Sequence, residues 1–193
     1  FKQKTAYEIM PSLVGSEMCI RDRYIAMKLR TFLSKSTISS TVSRLGKEIR
    51  ANHTGPVTLL SVLKGSICFT TDLMRELDGE VKVSFTTVSS YSGKSSGEIS
   101  YASPNLEDIS NSNVIIVEDI VDTGKTLDFL INQVKLLNPK TLQTCVLLDK
   151  PSRREIPVTI DYLGHTIQDL FVVGYGMDFK DRFRNLPYIG VLD

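Results

Sequence analysis

Two hydrophobic periods alternate along the chain after about residue 31. Short, mostly apolar runs are typical of strands, and they lie at residues 56–63, 81–90, 114–117 and 142–150. Between these runs apolar residues recur every three or four positions, which predicts helices over residues 36–53, 67–77 and 123–137. Two later apolar segments, at residues 158–164 and 170–178, predict further strands.

The order of these elements predicts the fold class. Strand, helix and strand follow one another over residues 114–150, which is the spacing of a βαβ unit with two parallel strands. We therefore expect residues 24–193 to form one α/β domain, an open and mostly parallel twisted sheet with flanking helices. Sheets of this kind bind ligands beyond the carboxyl ends of their strands.

Residues 1–23 do not follow this pattern. They contain no initiator Met, and Glu17 interrupts the one apolar stretch that a signal peptide could use. The string LVGSEMCIRDR resembles adapter read-through in translated transcript assemblies. We expect residues 1–23 to be a non-native or disordered segment; a genuine but poorly ordered extension is the alternative.

Composition narrows the classes of partner. Lys and Arg number 23 and Asp and Glu 22, so there is no bulk charge signature for nucleic acid or for an anionic membrane, and no run is apolar over the length of a membrane helix. Cys19, Cys68 and Cys145 lie far apart, which argues against a zinc site or a disulfide framework. We expect a cytoplasmic protein in which Cys68 and Cys145 are buried thiols.

The stretch VIIVEDIVDTGKTL, residues 114–127, carries the candidate chemistry. Glu118, Asp119 and Asp122 lie at the carboxyl end of a predicted central strand, where the ligand site is expected. The following Thr-Gly-Lys-Thr opens a helix, and a helix N-terminus with a glycine and hydroxyls suits a phosphate monoester. A triphosphate-binding P-loop would need a glycine five residues before Gly124, where Asp119 stands, so that interpretation is disfavoured.

Glu118 and Asp119 suit a ligand that carries hydroxyls instead of charge. A carboxylate accepts hydrogen bonds from a vicinal diol, as acidic residues do with ribose. Together with the helix end, the two acids predict a sugar-phosphate site. The alternative is that adjacent acids at a strand end are only solvated.

Five stretches, in order, resemble the type I phosphoribosyltransferases and especially bacterial hypoxanthine (6-oxopurine) phosphoribosyltransferases. They are VIIVEDIVDTGKTL together with LLSVLKGSICFTTDLMREL, VSSYSGKSSGEIS, LLDKPSRRE and FVVGYGMDFKDRFRNLPYIGVL. The resemblance spans about residues 32–193 and implies a small hood and a flexible active-site loop. It also implies purine salvage, in which the phosphoribosyl group of phosphoribosyl diphosphate (PRPP) passes to hypoxanthine or guanine with Mg²⁺ as cofactor.

The resemblance implies roles for the central motif. Glu118 and Asp119 would hold the ribose hydroxyls, and Asp122 would be the general base that takes the proton from N7 of the purine. The 5-phosphate would lie on the residues that open the helix, namely Asp122, Thr123, Gly124, Lys125 and Thr126. The implied magnesium ligands are Glu118, Asp119 and Asp178.

The same resemblance assigns the purine. Lys150 would donate to the 6-oxygen, and because an ammonium only donates, adenine with its amino group would be rejected. Phe171 would stack on the base and Val172 contact its edge. Asp178 would lie near the 2-position.

The pyrophosphate and the lid complete the implied site. Arg184 and the Lys64-Gly65 turn would bind pyrophosphate, with a cis non-proline peptide expected at Lys64-Gly65. Ser90 and Tyr91 would belong to the flexible loop that closes over the reacting carbon.

Two alternatives stay open at the level of sequence, a regulator and a transferase for another base. A PRPP-sensing regulator could keep the fold, although it should carry a basic face or an added nucleic-acid-binding domain. Adenine and orotate transferases share the PRPP motif but should lack the LLDKP and VVGYGMD context. The resemblance further implies a homodimer or a homotetramer.

Overall fold

The structure is a computed structural model that describes residues 28–90, 99–102 and 106–192. Residues 1–23 and Tyr91 lie outside the described residues, so the expectations for them stay predictions. In chain order the elements are β1 (Leu29–Leu33), α1 (Lys35–Asn52), β2 (Val57–Leu63), α2 (Ile67–Arg75), β3 (Val81–Ser90), β4 (Ile99–Ala102), α3 (Leu106–Ile109), β5 (Asn113–Val121), α4 (Lys125–Lys135), β6 (Thr141–Asp149), a 3₁₀ helix (Pro151–Arg153), β7 (Tyr162–Thr166), β8 (Val172–Val173) and β9 (Ile189–Leu192).

The main sheet has six strands in the order β4-β3-β2-β5-β6-β7. All neighbours in it are parallel except the β3–β4 pair, which confirms the mostly parallel sheet. β5 lies between β2 and β6 and is buried from Val114 to Glu118. The central motif therefore ends in the middle of the sheet, where both neighbours also present their carboxyl ends.

Helices cover both faces of this sheet. On one face α1 buries Ile38, Val42, Leu45 and Ile49, the four apolar positions of the predicted helical stripe. Ser34 caps its first turn, because the Ser34 hydroxyl accepts a hydrogen bond from the Thr37 N–H at 3.1 Å. α2 packs into the same apolar cluster, and α4 packs into the cluster on the opposite face.

Several boundaries differ from the pattern. α2 ends at Arg75, two residues early, and the strands near residues 158–164 and 170–178 shrink to β7 and β8. α4 begins at Lys125 instead of residue 123, because Gly124 has φ of +87° and its left-handed backbone cannot continue a helix. β5 runs on to Val121 because its residues keep pairing with β6, up to Val121 against Asp149.

A second, antiparallel sheet with the order β1-β9-β8 forms the hood. It places β8, and so Phe171 and Val172, opposite the end of the main sheet. Cys145 is buried as expected, whereas Cys68 is only half-buried because it lies in the first turn of α2. No helix in the described ranges is long and apolar enough to cross a membrane.

Candidate active site

A cleft of about 700 Å³ lies where the carboxyl ends of the central strands meet the hood. It is open enough for a nucleotide-sized ligand. The predicted site residues that line it are Lys64, Gly65, Asp119, Asp122, Lys150, Phe171, Val172, Asp178 and Arg184. The other lining residues are Ile120, Arg153, Asp169 and Met177. Residues that are distant in sequence are therefore brought together as the resemblance implied.

Glu118 and Asp119 occupy the last part of β5 and differ in their exposure. Glu118 is 7% exposed, and its Oε2 has no hydrogen-bond partner among the described residues. The pKa of Glu118 is raised to about 8, chiefly by burial and in smaller part by the charge of Asp119, while the charge of Arg154 acts in the opposite direction. Asp119, in contrast, lines the cleft. Its pKa is raised to about 6, chiefly by burial. Two acids that burial makes hard to ionise lie at this strand end.

The turn after β2 lies directly against Asp119. A Cβ built on Gly65 would stand 2.0 Å from Asp119 Oδ2, so only glycine lets the carboxylate come so close. The Gly65 carbonyl in turn lies against Gly176. The cis non-proline peptide is the Leu63-Lys64 bond, one residue before the Lys64-Gly65 bond that we expected. Lys64 is exposed, and its Nζ lies 3.6 Å from Asp181.

Asp122 lies just beyond β5 and faces the cleft. Its Oδ1 lies 3.0 Å from Nε of Arg153, a residue without a predicted role. Within the described residues Oδ1 accepts no hydrogen bond, so this contact is an ion pair in which the N–H does not point at the oxygen. Oδ1 is thus buried and paired in charge, while the exposed 43% of the side chain leaves the carboxylate accessible from the cleft.

The phosphate loop that we predicted lies beside the cleft lining instead of within it. Asp122 lines the cleft, whereas Thr123, Gly124, Lys125 and Thr126 do not. The Thr123 hydroxyl accepts a hydrogen bond from the Lys125 N–H at 3.4 Å, and the Lys125 side chain pairs with Glu155. Gly124 permits a tight turn, since a Cβ there would stand 2.4 Å from the Ile156 carbonyl oxygen.

Lys150 follows β6 and is 6% exposed, which is unusual for a lysine outside a site. Its N–H donates to the Val121 carbonyl at 2.9 Å, so its backbone is tied to the end of β5. Its Nζ lies 3.9 Å from Asp169, a distance that holds an ion pair but no hydrogen bond. The ammonium can therefore donate to a ligand in the cleft.

The hood contributes an aromatic face and an ion pair. Phe171 is 52% exposed and lines the cleft, and it contacts Phe179 edge to face with 5.6 Å between ring centroids. About half of the residue is therefore open to a ligand. Asp178 pairs with Arg184 at 2.6 Å. Arg184 also donates to the Gly176 carbonyl at 2.7 Å, and these two contacts fix the guanidinium at the rim of the cleft.

The predicted metal ligands do not form a protein cage. Across the described ranges, no group of three or more His, Cys, Asp and Glu side chains could hold a metal ion by itself. Asp119 and Asp178 both line the cleft, and Asp178 raises the pKa of Asp119, although burial raises it more. Mg²⁺ is usually held by one or two carboxylates together with substrate phosphates and water, and this donor set fits that mode.

Sequence reasoning missed two charged residues that line the cleft. It also assigned a role to two residues whose side chains the structure does not describe. Arg153 and Asp169 line the cleft, and each lies within three residues of a predicted purine contact, Lys150 or Phe171. That proximity was the available signal. Ser90 is the last residue of β3, with only its backbone described, and Tyr91 lies outside the described residues.

Comparisons with known proteins agree with this arrangement. The model of the phosphoribosyl transferase domain family matches residues 32–180. A hypoxanthine phosphoribosyltransferase of Buchnera aphidicola is 42% identical, over 84% of this chain and 94% of the relative. A crystal structure of a hypoxanthine-guanine phosphoribosyltransferase from Bacillus anthracis aligns with a TM-score of 0.81 at 36% identity, covering 86% of this chain and 100% of that one.

A structure from Trypanosoma cruzi adds a ligand to the comparison. It is a hypoxanthine phosphoribosyltransferase variant complexed with the product IMP, with a TM-score of 0.79 and 36% identity over 86% of this chain and 91% of that one. Family model, relatives and solved structures thus agree over most of the chain. This chain belongs to the phosphoribosyltransferase family and, within it, to the hypoxanthine phosphoribosyltransferases.

Proposed function

We propose that the protein transfers the 5-phosphoribosyl group of PRPP to hypoxanthine or guanine in purine salvage, giving IMP or GMP and pyrophosphate. The observation that carries this proposal is that a buried lysine, Lys150, and a carboxylate, Asp122, line the same cleft. A 6-oxopurine offers an acceptor to the first and a proton to the second. The IMP bound by the Trypanosoma cruzi relative supports the same products.

The ribose phosphate would lie over the end of β5. Asp119, with Glu118 behind it, would accept hydrogen bonds from the ribose hydroxyls. The N–H groups and hydroxyls of residues 122–126 would bind the 5-phosphate at the positive end of α4. These two contacts fix the sugar so that its anomeric carbon faces the purine.

The pyrophosphate would leave toward the Lys64-Gly65 turn and Arg184. Lys64 and Arg184 are the cationic residues at that end of the cleft, and a guanidinium fork suits phosphate oxygens. Asp119 and Asp178 would hold Mg²⁺, which when bound neutralises the charge of the leaving pyrophosphate. Ser90 and Tyr91 would close over the reacting carbon and exclude water.

The purine would stack on Phe171 with its edge against Val172. Lys150 would donate to the 6-oxygen, and Asp122 would accept the proton from N7 as the bond to N9 forms. Asp178 lies near the rim and would meet the 2-position, where hypoxanthine and guanine differ. No observation in the described residues favours a PRPP-sensing regulator, and the relatives above are enzymes by name.

A rate comparison among bases tests this proposal. The purified protein is mixed with PRPP and Mg²⁺ and with hypoxanthine, guanine, xanthine or adenine in turn. We expect turnover of hypoxanthine or guanine and none of adenine. Turnover of adenine alone, or of no base, would contradict the proposal.

Two further expectations have their own tests. Light scattering on the same preparation tests the expected homodimer or homotetramer. Fractionation of source cells tests the expected cytoplasmic location.

A further inference from the structure

Arg153 connects two acids that line the cleft, Asp122 and Asp169. Its Nε lies 3.0 Å from Asp122 Oδ1, and its Nη1 lies 3.4 Å and 3.5 Å from the two carboxylate oxygens of Asp169. All three side chains line the cleft, and about half of each is exposed. One guanidinium therefore spans the gap between the loop after β5 and the segment before β8.

Asp169 extends this connection to Lys150. Its Oδ1 lies 3.9 Å from Lys150 Nζ, so Asp122, Arg153, Asp169 and Lys150 form a chain of alternating charge. The two ends of the chain are the proposed proton acceptor and the proposed donor to the 6-oxygen. We call these four residues the charge chain.

The backbone around Arg153 is tied to the same loop. The N–H groups of Glu155 and Ile156 both donate to the Thr123 carbonyl, at 2.9 Å and 3.1 Å. The Arg153 N–H donates to the Lys150 carbonyl at 3.1 Å and closes the 3₁₀ turn. These backbone hydrogen bonds hold Arg153 near both Asp122 and Lys150, independently of the contacts that its side chain makes.

The contact with Asp122 leaves that carboxylate able to act. Oδ1, the oxygen that faces Arg153, is buried and accepts no hydrogen bond within the described part of the chain, whereas 43% of the Asp122 side chain stays exposed. A cation that lies against one carboxylate oxygen and leaves the rest of the group exposed holds the group in place and keeps it able to accept a proton from a ligand in the cleft. A small displacement of such a group lowers the rate strongly, because proton transfer needs aligned partners.

We propose that Arg153, held by Asp169, is a positioning residue that fixes Asp122 relative to Lys150 so that one purine meets both. This proposal rests on the proposed function, since it assigns Asp122 and Lys150 to the purine. Arg153 acts through Asp122 and does not touch the reacting atoms. Asp169 acts in the same way, one step further along the charge chain.

Kinetics of Arg153 variants test the role. We expect Arg153→Gln to lower kcat by about tenfold or more while the KM for PRPP changes by less than about threefold, because only the chemical step loses alignment. Arg153→Lys should restore part of kcat, since an ammonium keeps the charge but not the fork. Arg75→Gln is the matched control, because Arg75 pairs with Asp72 at 3.5 Å on the surface and does not line the cleft.

A double-mutant cycle then tests the connection through Asp169. If the charge chain acts as a unit, Asp169→Asn should lower kcat in the wild-type background and add little to Arg153→Gln. Fully additive losses would overturn the connection. An unchanged or increased kcat in Arg153→Gln would overturn the positioning role, because Arg153 would then be neutral or would obstruct Asp122.

Ligand-free crystal structures give a test that needs no activity. We expect one Asp122 side-chain conformation in the wild-type protein and an altered or split one in Arg153→Gln. An unmoved Asp122 in the variant would refute the positioning role even if the enzyme is active. A wild-type protein that transfers no phosphoribosyl group would refute the proposed function, and the crystal structures would still decide what Arg153 does to Asp122.

Discussion

At the scale of single residues, the buried position of Glu118 lowers the stability of the folded protein as the pH rises. Its carboxyl is buried in β5, and burial raises its pKa from 4.5 to about 8. A folded-state pKa above the unfolded value means that folding favours the protonated acid. The stabilising contribution is therefore fully present below pH 4.5 and is lost as the pH rises toward 8.

Replacing Glu118 by Gln should reveal this cost. Without ligand and with a chelator present, we expect Glu118→Gln to be more stable than the wild type at pH 8, by about 1–3 kcal/mol or more. At that pH the buried carboxyl must either keep its proton or ionise in a desolvated position, whereas the amide stays neutral. At pH 4.5 the two should differ little, because both side chains are neutral. Urea unfolding at the two pH values measures the difference.

The exposed Glu80 provides the control for that experiment. Glu80→Gln should change stability little at either pH. The opposite result would be a Glu118→Gln variant that is less stable than the wild type at pH 8 but not at pH 4.5. It would show that neighbours such as Arg154 stabilise Glu118 as an anion. A Glu118→Gln variant that is more stable than the wild type at pH 8 would support a binding role for Glu118, because a residue that lowers stability is retained for function.

Asp122 is the residue for which a catalytic role is easiest to separate from folding. Its side chain is 43% exposed, so Asp122→Asn should fold normally and lose little stability. We expect kcat to fall by about 10²–10⁴, the contribution typical of acid–base catalysis, because an amide does not take the N7 proton. Steady-state rates with hypoxanthine measure this, and a near-normal kcat would exclude the role.

Lys150 should determine which base is accepted. The ammonium has donors only, so an adenine amino group would face it unpaired. We expect Lys150→Gln to narrow the preference for hypoxanthine over adenine, since an amide can also accept. The ratio of kcat/KM values for the two bases measures this, with the exposed Lys140→Gln as control. A ratio unchanged from wild type would remove Lys150 from base recognition.

At the scale of elements, the start of α4 depends on one backbone conformation. Gly124 has φ of +87°, and a Cβ there would meet the Ile156 carbonyl oxygen at 2.4 Å. Gly124→Ala should cost about 1–3 kcal/mol of stability, and the displaced loop should weaken binding of PRPP. Thermal unfolding and the KM for PRPP measure the two effects.

Gly55 offers a matched control for Gly124. It lies in another loop, and a Cβ there would meet nothing within 4 Å. Gly55→Ala should leave both stability and the KM for PRPP close to wild type. Equal effects of the two substitutions would mean that the conformation of Gly124 is not what holds the phosphate loop.

Element type was predictable from sequence, whereas element ends depended on distant partners. α1 has four apolar positions at helical spacing, and all four are buried, so its hydrophobic period alone located it. β5 continues past its apolar run because β6 pairs with it, and no local pattern reports that pairing. The contacts of Arg153 could not be predicted for the same reason, because its partners Asp122 and Asp169 lie 31 residues before it and 16 residues after it.

At the scale of the whole molecule, the order of strands decides which residues meet. Local patterns predicted strands at β2, β5 and β6, and the βαβ spacing predicted that β5 and β6 are parallel. They could not predict that β1 and β9, from opposite ends of the described chain, pair in the hood. That pairing holds β8, and therefore Phe171, against the cleft, so a part of the site depends on the earliest described strand.

This dependence yields a prediction about the N-terminal residues. Removal of residues 1–23 should leave stability and kcat/KM unchanged, because the family model begins to match at residue 32 and β1 begins at Leu29. Peptide mapping of the protein from its natural source provides a second test. A recovered Thr5–Arg21 peptide would show that the segment belongs to the native chain, and a loss of stability on its removal would show that it belongs to the fold.

Removal of residues 1–33 is the informative comparison, because it deletes β1 as well. Phe32 and Leu33 pack against the main apolar cluster, and Leu29 lies against Gly190 of β9. Since burial of one large apolar side chain contributes about 1.5–3 kcal/mol, loss of these partly buried residues should cost a few kcal/mol. It also leaves an edge of β9 unpaired next to β8, so the KM for the purine should rise more than the KM for PRPP. Equal behaviour of the two truncated chains would mean that β1 does not support the hood, and Phe171 would then owe its position to β9, whose Leu192 N–H donates to the Phe171 carbonyl at 3.1 Å.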